Sequence, residues 1–95
     1  MNDVYRALAD PTRRAILHLL RERSMTAGEI AGSFPQAQST VSGHLSVLQN
    51  AHLIVQERQG QRLVYHLQTS VLEDVVAALL ALTSKGAEGA ALEEG

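Results

Sequence analysis

The stretch QSTVSGHLSVLQNAHL, from Gln38 to Leu53, decides how this chain reads. Val41, Leu45 and Leu48 fall at i, i+4 and i+7, which places them on one side of an amphipathic helix. Gln38, Ser39, Ser42, Gly43, Ser46 and Gln49 lie largely opposite. A solvated helix face ordinarily carries Lys and Glu. This face carries short hydroxyl and amide groups and no acid, the chemistry that can enter a DNA major groove without repulsion from phosphate. A Ser-rich solvated helix is the plainer reading, and the neighbouring segments decide between the two.

Upstream, Asp3 to Leu8 suggests a short helix with Val4 and Leu8 on one side. Asp10-Pro11 is a helix start, an N-cap acid followed by proline at the first helical position. That helix runs to about Arg23 on an apolar stripe of Ile16, Leu19 and Leu20, and Ser24-Met25-Thr26 breaks it. Thr26 and Glu29 have capping-box spacing for a short helix over residues 27–33, with Ile30 and Ala31 inward. Pro35 pushes Phe34 out of the helical region and makes 34–37 a turn. Two helices around a tight turn, preceded by a third, form a helix-turn-helix.

Downstream of Leu53 the period changes. LIVQER and RLVYHL alternate as strands about Gly60, with Leu63, Tyr65 and Leu67 on one face, so a two-stranded hairpin is expected. Arg58 and Arg62 bracket its tip, which favours a DNA-contacting wing over a plain hairpin. Thr69 or Ser70 can cap a last helix reaching about Thr83. Val71, Leu72, Val75, Val76, Leu79, Leu80 and Leu82 make that helix apolar around more than half its circumference. One stripe suffices for a helix lying on a small monomer, so the surplus implies burial against something else, most simply a second copy.

The totals agree. Ninety-five residues allow one domain with a modest core, and three aromatics in the whole chain make that core aliphatic. There is no cysteine, which removes disulfides, thiolate metal sites and thiol redox sensing and fits a cytoplasmic location. No apolar run approaches the roughly 20 residues of a membrane span, and MNDVYR has no secretory pattern. The net charge is −2 but unevenly spread. Residues 1–66 hold seven arginines against five acids, and residues 67–95 one lysine against five acids. The mildly basic body permits DNA binding; the acidity sits in the last third. Residues 1–84 are expected to form a DNA-binding and dimerisation domain and residues 85–95 a flexible acidic tail.

Four segments, ALADPTRRAILHLL (7–20), MTAGEIA (25–31), STVSGHLSVLQNAHLI (39–54) and RQGQRLVYHL (58–67), together resemble the ArsR family of winged-helix bacterial repressors. Within it the short length and the MTAGEIA segment are most similar to the SdpR-like autorepressor subgroup. The resemblance implies a mainly α fold with a two-stranded β-wing, a winged helix-turn-helix that dimerises through its first and last helices. Val4, Leu8, Val71, Leu72, Val75, Leu79 and Leu82 are the residues expected at that interface. It also implies a repressor, autoregulatory in this subgroup, that binds an inverted-repeat operator on double-stranded DNA as a homodimer.

Departures from the family bear on what the chain senses. The family's metal sensors use cysteines on the third helix or Asp/His pairs on the last. Here AGEIAGS has no thiol, and the last helix offers Glu73 and Asp74, neighbours that point about 100° apart and do not chelate. No metal, cofactor or inducer site carries over. A metal- or small-molecule-responsive derepressor with a non-standard effector site is the alternative. Ala37 stands where the family often has a capping Ser, and Gly43 where Arg or His is common.

The residues expected to read the major groove are Gln38, Ser39, Thr40, Ser42 and His44. Arg58, Gln61 and Arg62 are expected to meet backbone or minor groove from the wing. Thr40 can instead cap the helix, and His44 can instead bond locally. Arg13 and Arg14 can contact phosphate, or pair with Asp10 or with a partner's tail. No Ser-His-Asp spacing, phosphate loop or metal cluster points to an enzyme; the histidines at 18, 44, 52 and 66 are scattered singly.

Overall fold

In the computed structural model, residues 2–83 are described. Five helices and three strands follow one another as α1 (Asn2–Leu8), α2 (Pro11–Glu22), β1 (Met25–Thr26), α3 (Ala27–Ala31), α4 (Gln38–Asn50), β2 (Ile54–Gln59), β3 (Arg62–Leu67) and α5 (Thr69–Thr83). The mainly helical winged helix-turn-helix expected from the sequence is the architecture observed. The proposed acidic tail at 85–95 lies outside the described residues.

Local chemistry explains most boundaries. Asp10 stays extended and its carboxylate accepts the Arg13 backbone N–H at 3.0 Å, with Pro11 opening α2. At α3 the capping box closes in both directions: Thr26 N–H donates to Glu29 Oε1 at 2.9 Å and Glu29 N–H to Thr26 Oγ1 at 3.2 Å. Ala37 occupies the N-cap of α4 and supplies no side-chain bond. The α4 helix stops at Asn50, short of Leu53. His52 adopts φ +62°, its N–H donates to Gln49 O at 3.0 Å, and Leu53 N–H donates back to Leu48 O at 3.0 Å. That pair of bonds is a Schellman motif, with the buried Leu48 and Leu53 as its apolar contact.

The hairpin forms in the expected register, with Gln59 opposite Arg62 and a Gly60-Gln61 turn. Gly60 has φ +65°, the type II′ pattern that matches strand twist. One strand was not expected. Met25 and Thr26, read as a break after α2, pair antiparallel with Tyr65 and Val64, so the sheet has the order β1-β3-β2. A two-residue strand has no alternation to display; its pairing is set by a segment some forty positions away. The expected Leu63-Tyr65-Leu67 face also grades outward: Tyr65 is buried, Leu67 half-buried and Leu63 exposed near the tip. Helix α5 already includes Thr69 and Ser70, so the expected caps sit inside its first turn.

Val41, Leu45 and Leu48 of α4 share one largely aliphatic core with Ile16, Leu17 and Leu20 of α2, Ile30 of α3, Leu53, and Ile54 and Tyr65 of the sheet. Val4 and Val75 belong to it, only 7% and 3% exposed. Among the described residues, no helix is long and apolar enough to cross a membrane.

Candidate nucleic-acid interface

The core grips α4 by one side and leaves the other free. Gln38, Ser39, Thr40, Ser42, Gly43, Ser46 and Gln49 are all exposed, as the stripe of Val41, Leu45 and Leu48 requires. This face holds no acid, and a Cβ placed on Gly43 would meet nothing within 4 Å. The turn leading into α4 is tied back to α2, where Gln36 Nε2 donates to Thr12 Oγ1 at 3.0 Å.

His44 departs from the expected set. Its side chain is 17% exposed, and Nδ1 lies 3.2 Å from Arg13 Nη1 and 3.9 Å from Asp10 Oδ2. Since guanidinium can only donate, Nδ1 accepts and the ring proton sits on Nε2. The same Arg13 donates through Nε to Ala7 O at 2.8 Å and through Nη2 to Arg6 O at 3.0 Å. Arg14 donates to Leu8 O at 2.9 Å. Both arginines therefore donate to carbonyls in the last turn of α1, of which Arg6 O also accepts the Ala9 N–H. Of the open readings, the local one describes His44, and α1 is the partner that sequence reasoning missed for Arg13 and Arg14. The density of DPTRR was the only signal; nothing local shows which carbonyls it meets.

The wing presents Arg58, Gln61 and Arg62 at an exposed tip. Opposed residues of an antiparallel pair share a face and neighbours alternate. Arg58 opposes Leu63 while Arg62 opposes Gln59, so the two arginines project from opposite faces. On its face Arg62 Nη2 lies 3.6 Å from Glu29 Oε1, and Glu29 also lies 3.6 Å from Arg23. Glu29 thus serves three tasks: capping α3, tethering the wing and holding the end of α2. Hydrogen bonds from Thr26, first backbone and then side chain, with Arg23 and Arg62 behind them, hold its carboxyl below the ordinary value. Arg58 makes no ion pair among the described residues. A second latch lies lower on the hairpin: His66 Nε2 contacts Glu57 Oε1 at 2.7 Å and its Nδ1 bonds Ser24 Oγ. Bonds from Gln59 and His66 lower the Glu57 carboxyl likewise.

A helix-turn-helix with an acid-free exposed face is flanked by a wing that carries two arginines. The profile of the bacterial regulatory protein, arsR family, matches residues 10–55. Transcriptional repressor SdpR of Bacillus subtilis (strain 168) is 44% identical over 86 residues, 90% of this chain and 96% of that one. The chain belongs to the ArsR family of bacterial regulatory proteins. It is similar also to HTH-type transcriptional regulator Rv2034 of Mycobacterium tuberculosis, 41% identical over 72% of this chain and 64% of that one. Among solved structures it resembles a crystal structure of an ArsR-family transcriptional regulator, with a TM-score of 0.79 at 30% identity, covering 87% of this chain and 86% of that one. It also resembles the homodimeric winged helix-turn-helix DNA-binding domain of Mb0332 from Mycobacterium bovis, at 0.70 and 25% identity over 93% and 82% of the two chains. This ArsR-family chain is a transcription regulator, with α4 as the second helix of the helix-turn-helix and the β2–β3 hairpin as the wing.

The expected dimer residues divide. Val4 and Val75 are core within a single chain, and Leu8, Val71 and Leu72 are half-buried against it. Leu79 and Leu82 are exposed, joined by Val76, Leu80 and, on α1, Tyr5. The outward apolar surface of α5 is thus offset from the one expected. A groove lined by Leu67, Leu72, Val76 and Leu80, with Arg21 and Glu73 among its polar lining residues, extends it towards α2.

Proposed function

We propose that this protein is a sequence-specific repressor that binds an inverted-repeat operator as a homodimer and controls its own gene. The acid-free exposed face of α4, presented beside a wing whose Arg58 makes no ion pair among the described residues, carries the reading. Gln38 can pair bidentately with adenine, Ser39 and Ser42 can donate or accept, and the Thr40 methyl can touch a thymine methyl. Arg58 and Gln61, and Arg62 once released from Glu29, meet phosphate or minor groove. Dimerisation buries Tyr5, Val76, Leu79, Leu80 and Leu82 and sets two α4 helices about one helical turn of DNA apart. The similarity to the repressor SdpR and to the homodimeric Mb0332 domain supports both parts. Residues 85–95 have no assigned role in this scheme.

Fluorescence anisotropy with the DNA upstream of the protein's own gene, against a shuffled duplex, tests the proposal. Operator affinity at least about a thousandfold above the shuffled control is expected, with footprints on two half-sites. Equal affinity for both duplexes would overturn sequence-specific repression. Zinc and a chelator added in parallel test the effector-responsive alternative, which predicts release on one of them.

A further inference from the structure

The Arg13 guanidinium touches three elements at once. It belongs to α2, it bonds the Arg6 and Ala7 carbonyls at the end of α1, and it bonds His44 Nδ1 in the middle of α4. Each distance lies within 2.8–3.2 Å, the range of a made hydrogen bond. Asp10 closes the arrangement from the N-cap of α2, accepting the Arg13 backbone N–H and lying 3.9 Å from the imidazole. Along α4, His44 lies two residues beyond Ser42, within the helix whose first turn faces the groove. A donor with three directed bonds fixes rotation as well as distance. Few other polar groups tie α4 to its neighbours: Ala37 supplies no cap, the Gln36–Thr12 bond holds only the turn before the helix, and the buried face of α4 is the apolar stripe of Val41, Leu45 and Leu48.

We propose that Arg13 is a positioning residue for DNA reading: through His44 it sets the rotation of α4 against α1 and α2. This rests on the assignment of α4 as that helix. Arg13 then contributes to the choice of sequence without touching DNA, and His44 acts as its acceptor and not as a base-reading group.

The clamp is tested with full-length Arg13→Ala, His44→Leu, the double variant and His44→Asn, whose amide oxygen can take the place of Nδ1. Each first variant is expected to lose about tenfold in operator affinity, matching a charge-assisted hydrogen bond, and less than about twofold on shuffled DNA. The double variant is expected to lose no more than either single one, and His44→Asn to recover most of the loss. A phosphate contact by Arg13 would instead weaken both duplexes alike and lower the salt slope by about one, whatever stands at 44; that result overturns the proposal. So do additive losses, or a His44→Asn variant as poor as His44→Leu. If the wild type binds neither duplex, the functional assignment fails, and amide hydrogen exchange still reads the clamp. Faster exchange across 42–48 in both Arg13→Ala and His44→Leu supports it, and unchanged exchange overturns it.

Discussion

At the scale of single residues, the wing shows how identical charges come to have different tasks. Arg58 and Arg62 bracket the same turn, yet strand alternation sends them to opposite faces and only Arg62 meets Glu29. Arg58→Ala is expected to weaken binding to all DNA sequences and to reduce the slope of log K against log salt by about one. Arg62→Ala should cost less, because its loss is offset by removal of the ion pair that must open. Titrations at several salt concentrations check both, and equal slopes for the two variants would remove the distinction. His52 shows a different constraint. Only its left-handed backbone allows Leu53 to turn back on Leu48, and a Cβ there is strained. His52→Gly is expected to stabilise the fold by about 0.5–1 kcal/mol, seen in urea unfolding at fixed protein concentration. Three carboxylates add a pH dependence. Asp10, Glu29 and Glu57 are all held below their ordinary values, Asp10 foremost by the Arg13 backbone N–H. Groups depressed in the folded state stabilise it above their unfolded values and lose that contribution as pH falls through the folded ones. Unfolding midpoints should therefore hold near neutrality and drop below about pH 4; a flat profile down to pH 3 would count against these contacts.

At the scale of elements, α4 is built for access more than for intrinsic stability. It has no side-chain cap and carries Gly43 in its interior, facing open space. Gly43→Ala is expected to stabilise the protein by about 1 kcal/mol. If the glycine serves close approach to the groove, the same variant loses operator affinity while gaining stability, and paired unfolding and binding measurements separate the two effects. The helix itself was legible in its stripe and hydroxyl face, as were the Asp10-Pro11 start, the capping box of α3 and the glycine turn of the hairpin. Each is signalled within three or four residues, the reach of a cap, a helical turn or a two-residue loop. β1 was not legible, because its partner strand is distant in the chain.

At the scale of the whole molecule, the core is complete within one chain while α5 keeps an apolar face towards solvent. Leu80 is 55% and Leu82 82% exposed. Leu80→Glu should leave the monomer fold intact, shift sedimentation from dimer to monomer, and lower operator affinity at least about tenfold by uncoupling the half-sites. A Leu80→Glu variant that remains dimeric would place the interface elsewhere. Sequence periodicity marked α5 as apolar around more than half its circumference. It did not show which side was surplus, since Val75 and Leu79 read alike until α5 is laid against the core.

What the sequence determined by itself had a local cause: the capped starts of α2 and α3, the turn of the wing, the acid-free face of α4, and the family. Tertiary structure alone decided what the polar side chains touch. His44 was brought to Arg13, Arg62 to Glu29 while Arg58 has no ion pair among the described residues, and Val4 and Val75 were drawn into the core. The physical reason is common to all three. Hydrophobic period and caps are written within a few neighbouring residues, whereas a hydrogen bond or ion pair between distant residues depends on how whole elements are packed.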